Sequence, residues 1–270
     1  MTELSGLAAL LGTLVGLVLG LTGAGGGVLA VPALMLGLGM SLTDATPVSL
    51  VAVGAAASLG AAVGLRNRQV RYRAALLMSG LGILTAPIGV WLAHHLPQTL
   101  LVVIFCALML LIAVRMLQQV LPHRSSDGGP RQEAVNCMLN PETGRFRWNT
   151  RCSVTLAGIG GVAGLFTGML GVGGGFLIVP AFRQFSDLTM QAASATSLAV
   201  IALVSTSTVI GTLLHGGQIS RVGWAFIVTT GVGMLIGRAL AIWIPGRWLQ
   251  TGFGMVVLLV AVVWLVRLFA

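Results

Sequence analysis

Residues 20–34 of the chain read GLTGAGGGVLAVPAL, and residues 168–182 read GMLGVGGGFLIVPAF. The two stretches match at a constant offset, 168 minus 20, or 148 positions. Glycines, prolines and serines elsewhere match at the same offset: Gly12 with Gly160, Gly16 with Gly164, Ser49 with Ser197, and Pro97 with Pro245. Such a register predicts an internal duplication. We therefore predict two repeats, residues 1–121 (the first half) and 151–270 (the second half), joined by a linker over residues 122–150.

The composition predicts the class of protein. Of the 270 residues, 56% are hydrophobic and 8% are charged, whereas soluble domains carry roughly 25% charged residues. Long apolar runs such as 99–114 and 253–266 do not alternate as β-barrel strands would. The sequence therefore predicts an all-α polytopic membrane protein. The net charge of +9 comes from 15 Arg and no Lys. We assign it to loops that orient helices and meet lipid headgroups, and we expect no nucleic-acid partner.

Each half contains five apolar segments. In each half the last three are long enough to span a bilayer, which takes about 20 residues. The first two are short, and we predict that they form a broken or re-entrant helix pair meeting at the glycine cluster. The segments lie at about 4–19, 26–40, 45–65, 74–93 and 98–118, and at about 152–167, 174–185, 192–214, 223–244 and 248–268.

Arginines in loops predict the orientation. Residues 65–73, LRNRQVRYR, place four Arg in one short loop, which is therefore cytoplasmic. The equivalent loop of the second half has only Arg221, while the turn after Pro245 gains Arg247. This exchange favours inverted repeats. Arg267, near the C-terminal end, favours parallel repeats instead, so both arrangements stay open. The linker is then cytosolic, and NPETG predicts a small hairpin within it.

The sequence offers little for catalysis or metal binding. Cys106, Cys137 and Cys152 are odd in number and form no CxxC pair, so we predict neither a disulfide framework nor a metal site. The four His form no cluster with acidic residues, and no nucleophile has a partnered base. We therefore expect no enzyme activity, no catalytic residue, no metal and no cofactor.

The glycine clusters are candidates for a binding site. Each glycine costs a helix about 1 kcal/mol relative to Ala, and unpaired backbone in lipid costs several kcal/mol more. Such a break is tolerated where it is buried in protein or lines a polar cavity. The helix that resumes after it offers free N–H groups and a positive dipole end to an anion. The alternative is close helix packing, which we expect for Gly12, Gly16, Gly160 and Gly164. The residues after the glycines fit neither a phosphate loop nor a dinucleotide fold.

Hydroxyl groups begin the third segment of each half, and repeat symmetry would bring them beside the glycines. As neutral donors they would bind an anion, although Ser and Thr in membrane helices also bond their own carbonyls. Arg238 is expected mid-segment, where a charge needs a role or a partner; it attracts substrate or snorkels toward Arg247. The candidate substrate-binding residues are Thr22, Gly25, Gly26, Gly27, Thr46, Ser49, Gly173, Gly174, Gly175, Ser194, Thr196, Ser197 and Arg238.

The duplicated GxxGxGGGxxxxP clusters, the SL-type segment after each and the linker NPETGRFRW resemble the sulfite exporter TauE/SafE family of membrane permeases. The resemblance covers nearly the whole chain. It implies a multi-pass transporter in the cytoplasmic (inner) membrane of a bacterium or archaeon. Its implied substrates are small sulfur-containing anions such as sulfite, sulfonates or organosulfur acids. Thr46-Pro47 stands where the second half has Ser194-Ala195, so the sites of the two halves need not be equivalent.

These observations favour a secondary transporter that moves a small anion by alternating access. The expected partners are the anionic substrate, the lipid bilayer and a coupling ion, H⁺ or Na⁺, with a homodimer left open. Two alternatives remain: a transporter or channel for another small anion such as a carboxylate, and a non-transporting membrane assembly partner.

Overall fold

A computed structural model describes residues 2–23, 26–120, 137, 149–186, 188–214, 220–241, 243 and 246–269. These residues form ten α-helices and no β-strand. The first half contains α1 Thr2–Thr22, α2 Gly26–Pro32, which runs into a π-helical turn Ala33–Gly37, α3 Leu42–Arg66, α4 Tyr72–His95 and α5 Gln98–Val120. The second half contains α6 Thr150–Leu170, α7 Gly175–Phe185, α8 Met190–Leu214, α9 Arg221–Leu240 and α10 Gly246–Phe269. The hairpin predicted within 122–150 lies outside the described residues.

Six of the described helices are long and apolar enough to cross a membrane, namely α3, α4, α5, α6, α8 and α9. The chain is therefore an all-α multi-pass membrane protein, as its composition predicts. Two length predictions were wrong, because α1 and α6 were both predicted to be short and each has 21 residues; α6 is also long and apolar enough to cross a membrane. Its polar first turn extends the helix beyond the apolar run, and the Asn149 side chain caps it by accepting a hydrogen bond from the Thr150 N–H at 2.8 Å.

Glycine faces bring α1 against α9 and α4 against α6. A Cβ on Gly12 would lie 2.7 Å from the Phe226 carbonyl oxygen, and one on Gly16 would lie against the backbone of Thr230. Likewise, a Cβ on Gly160 would lie 2.6 Å from Cα of Met78. Real Cβ atoms do not approach this closely, so only glycine lets these backbones pack. The packing role predicted for Gly12, Gly16, Gly160 and Gly164 is confirmed.

The contacts along these helices also give their directions. Gly12 lies beside Phe226 and Gly20 beside Arg238, so α1 and α9 run parallel. The same reasoning makes α4 parallel to α6. In the middle of the protein α3 and α8 run antiparallel, because Gly54 faces Ser205 whereas Gly64 faces Ala195. Gly60 and Gly64 of α3 face Met234 and Arg238 of α9 in the same order, so these two helices are parallel. Gly82 of α4 faces Val204 of α8, level with the contact between Gly54 of α3 and Ser205, so α4 returns antiparallel to α3. Helices α1, α3 and α9 point one way, and α4, α6 and α8 point the other way.

A disulfide joins Cys137 to Cys152, which corrects the prediction that these cysteines are unpaired. The Cys137 N–H donates to the Phe185 carbonyl at 3.1 Å, and Cys137 forms a β-bridge with Ser186. A linker residue is thereby held at the end of α7 beside the first turn of α6. The sequence did not reveal the pair, because it depends on a contact in space. The chain folds back after α6, so the end of α7 lies beside the first turn of α6, and the backbone of Phe185 and Ser186 then holds Cys137 next to Cys152.

Candidate functional site

Two breaks interrupt the helical hairpins α1–α2 and α6–α7. The first break lies between Thr22 and Gly26, and the second lies between Leu170 and Gly175. In the second break Gly171, Gly173 and Gly174 have φ values of +70°, +77° and +63°. These are left-handed conformations that glycine adopts without a steric penalty. The cluster is therefore needed for the reversal of the chain, whatever else it does.

The two breaks meet in the interior. A Cβ on Gly27, in the first turn of α2, would lie against the carbonyl oxygen of Val172 in the second break. A Cβ on Gly173 would lie 3.0 Å from Val53 of α3 and 3.2 Å from Ile201 of α8. Both breaks are thus enclosed by the antiparallel pair α3 and α8. Gly26 and Gly175 are the first residues of α2 and α7, and Gly25 lies outside the described residues.

Hydroxyl groups of one half bond the break of the other half. The Ser49 hydroxyl donates to the Gly171 carbonyl at 2.9 Å, and the Ser197 hydroxyl donates to the Gly23 carbonyl at 3.2 Å. The Ser194 hydroxyl donates to the Thr22 carbonyl at 3.0 Å. The structure therefore brings these serines to the glycines as predicted from the matching positions. It uses their protons to satisfy backbone carbonyls that the breaks leave without helical donors.

Two threonines of the candidate set also bond the backbone, and a third packs on the second break. Thr22 donates to the Val18 carbonyl at 2.8 Å. Thr196 donates to the Ala192 carbonyl at 2.7 Å and accepts the backbone N–H of Arg71 at 3.1 Å. Thr46 packs on the second break, with its Cα 2.9 Å from a Cβ position on Gly171. The serines and Thr46 thus contact the breaks directly, whereas Thr22 bonds its own helix and Thr196 bonds its own helix and the arginine-rich loop.

Arg238 lies in the last turn of α9, which corrects its predicted mid-segment position. The helix ends at Leu240, earlier than the apolar run that continues to residue 244. The Arg238 Nη2 atom donates to Oε1 of Gln69 at 3.4 Å, and the side chain is partly buried. Its backbone nitrogen is 2.7 Å from a Cβ position on Gly20. The guanidinium thus lies beside the arginine-rich loop, near the end of α1 that leads into the first break.

Two residues near the breaks were not singled out from the sequence. Gln69 is the hydrogen-bond partner of Arg238, and the sequence does match it with Gln218 of the second half once a one-residue gap is allowed. Ser205 is fully buried beside Gly173, and its hydroxyl has no partner among the described residues. No local pattern in the sequence separates Ser205 from the hydroxyl residues around it.

Comparison with known proteins agrees with this architecture. The profile of the family described as "Sulfite exporter TauE/SafE" matches residues 8–263. The chain belongs to this family. Two relatives named "Probable membrane transporter protein", from Xylella fastidiosa strains 9a5c and Temecula1 / ATCC 700964, are each 27% identical to it over 258 residues. Each alignment covers 93% of this chain and 91% of the relative. No solved structure matches significantly. Membership in the TauE/SafE family and these relatives support a role in membrane transport.

Proposed function

We propose that the protein is a secondary transporter of small sulfur-containing anions such as sulfite, sulfonates or other organosulfur acids. The observation that carries this proposal is the meeting of the two breaks, Gly27 against the Val172 carbonyl, inside a member of the TauE/SafE family. A helix that starts again within a membrane protein offers free N–H groups and a positive dipole end. We assign the anion to the start of α7, whose 11 residues follow the second break.

The polarity of the interior supports an anion rather than a cation. Every buried polar side chain among the described residues is a Ser or Thr, and none is acidic. Most of these hydroxyls already donate to backbone carbonyls, but they are neutral, so the interior lacks the negative charge by which a buried carboxylate would repel an oxyanion. The partly buried Arg238 adds positive charge near the first break. This chemistry fits a sulfite or sulfonate group, which presents several acceptor oxygens.

We further propose that the halves are inverted repeats. In support, α1 runs opposite to α6, α3 opposite to α8 and α4 opposite to α9, which are the pairs that the offset of 148 positions equates. The bond between Arg238 and Gln69 brings the end of α9 to the arginine-rich loop, as inverted repeats require. From its family we also propose that the protein lies in the cytoplasmic membrane of a bacterium or archaeon, with that loop in the cytoplasm. The anion site then faces alternate sides of the membrane.

Reconstitution tests this proposal. The purified full-length protein is inserted into liposomes, and uptake of radiolabelled sulfite is compared with uptake of taurine, sulfoacetate and acetate. We expect saturable flux of the sulfur anions. Flux of acetate alone would overturn the sulfur assignment, and absence of any flux by folded protein would overturn transport. Repeating the assay with an imposed pH or Na⁺ gradient identifies the coupling ion, because only the coupled gradient drives accumulation.

A further inference from the structure

Ser205 in α8 departs from the usual behaviour of a hydroxyl in a membrane helix. Such a hydroxyl commonly donates to the carbonyl four residues earlier. Thr206 and Thr208 in the same helix do so, at 2.6 Å to Ala202 and 2.9 Å to Val204. Ser205 is 0% exposed, and its Oγ has no hydrogen-bond partner among the described residues. Buried polar groups without partners are rare in folded proteins and commonly mark a function or a missing ligand.

The Ser205 hydroxyl faces the second break. Its Oγ lies 3.7 Å from a Cβ position on Gly173 and 3.7 Å from one on Gly54 of α3. Both facing residues lack a side chain, so glycine backbone lies next to the hydroxyl, and the side-chain methyl groups of Val53 and Ile201 flank the Gly173 position. Gly173 and Gly174 lead directly into α7, whose first N–H groups have no partners within the helix. An unpartnered side-chain hydroxyl therefore lies beside a glycine of the break that precedes the N-terminus of α7.

We propose that the Ser205 hydroxyl donates a hydrogen bond to an oxygen of the anion bound at the start of α7. The proposal rests on the proposed function and extends it, because it assigns the ligand to the second break and names its side-chain donor. The residue 148 positions earlier is Ala57, which is also fully buried and has no hydroxyl. The first break therefore lacks the equivalent donor, and the two breaks bind the anion unequally.

The alternative is that Ser205 is retained only for its small size. Its Cβ lies 2.9 Å from a Cβ position on Gly54, so α3 and α8 leave little room here. Ala would satisfy that steric requirement as well as Ser, since it is smaller. The two explanations therefore differ in what Ser205→Ala does to anion binding, and the substitution does not itself disturb the packing.

The test compares wild type, Ser205→Ala and Ser58→Ala in proteoliposomes, with sulfite as the probe. Ser58 is a matched control, because it is exposed on α3 and donates to the Gly54 carbonyl of its own helix. A hydrogen bond to a charged group has the strength to change affinity by about 10-fold to 100-fold. We expect Ser205→Ala to raise the KM for sulfite by that factor and Ser58→Ala to leave it unchanged.

Thermal unfolding in detergent, with and without sulfite, completes the test. We expect Ser205→Ala to unfold at or above the wild-type temperature without ligand, because an unpaired hydroxyl is removed, and to lose most of the stabilisation by sulfite. A wild-type KM, wild-type stabilisation by sulfite, or a destabilised or unfolded Ser205→Ala protein would each overturn this inference while leaving transport standing. If wild type itself neither carries nor is stabilised by any oxyanion, the proposed function fails instead.

Discussion

The hydrogen bond between Ser197 and the Gly23 carbonyl gives a quantitative prediction. Ser197 is fully buried, and its substitution by Ala leaves a carbonyl of the first break without this donor, shielded from water. A buried polar group that loses its partner costs about 1–3 kcal/mol. For a chain of 150–250 residues, each kcal/mol corresponds to about 2–4 °C of unfolding temperature. We therefore expect Ser197→Ala to unfold several degrees below wild type.

Thermal unfolding of the purified protein in detergent measures this effect. The mirrored substitution, Ser49→Ala, removes the donor to the Gly171 carbonyl in the second break and should cost a similar amount. Ser58→Ala is the control, because it removes an exposed hydroxyl from a helix surface, and we expect a change within about 0.5 kcal/mol. If Ser197→Ala and Ser49→Ala have the same unfolding temperature as the Ser58→Ala control, the two serine-to-carbonyl hydrogen bonds do not stabilise the breaks and the prediction is wrong.

The double variant Ser49→Ala/Ser197→Ala extends the prediction. The two hydroxyls bond different breaks, so independent breaks would give losses that add to within about 0.3–0.5 kcal/mol. A loss clearly different from the sum would mean that the two breaks interact energetically in the folded protein. The difference between the double-variant loss and the sum of the two single-variant losses is the interaction energy between the breaks, and it does not affect the single-variant predictions.

Three further outcomes follow from the structure. Reduction of the Cys137–Cys152 disulfide, whose partners are 15 residues apart, should cost about 3 kcal/mol and lower the unfolding temperature, whereas Cys152→Ser should show no response to reductant. Gly174→Ala should give no folded protein, as judged by size-exclusion chromatography, because the φ of Gly174 is +63° and an added Cβ would lie 2.6 Å from the Ala163 carbonyl oxygen. Gly252→Ala should fold normally, because an added Cβ there has no neighbour within 4 Å. Arg238→Gln should raise the KM for sulfite most at low salt, where the charge of Arg238 is least screened. Its unfolding temperature should stay within a degree or two of wild type, since Gln still bonds polar neighbours. If the variant and wild type have the same KM at every salt concentration, electrostatic attraction by Arg238 is excluded.

The helices were largely predictable because an apolar run of sufficient length forms a helix in a bilayer whatever its partners are. The run predicted at 45–65, for example, is α3, Leu42–Arg66. The position of Arg238 was predicted less well, because apolar residues continue beyond the end of α9 and hydropathy does not record where a helix stops. The choice of partners was not predictable either. Glycine faces on α1 and α6 look alike in the sequence, and only packing selects α9 for one and α4 for the other.

The candidate site was predictable in position but not in hydrogen bonding. The offset of 148 positions predicted that Ser49 and Ser197 lie near the glycines, and they do. It did not reveal that their protons go to break carbonyls, since that depends on which way each hydroxyl turns. The unpartnered Ser205 could not be recognised, because an unsatisfied group is defined by its surroundings in space. Substitution of a glycine in the breaks would disturb the backbone first, so serine variants are the sharper probes of anion binding.

The pairing of α1 with α9 has a consequence for how the protein is made. The end of α1 at Thr22 and the start of α9 at Arg221 are 199 residues apart in the chain. At a synthesis rate of about 5–20 residues per second, roughly 10–40 s pass between the synthesis of α1 and the synthesis of its partner α9. During that interval Gly12 and Gly16 face lipid or a temporary neighbour. Assembly of the native bundle is therefore completed late, after nearly the whole chain has entered the membrane.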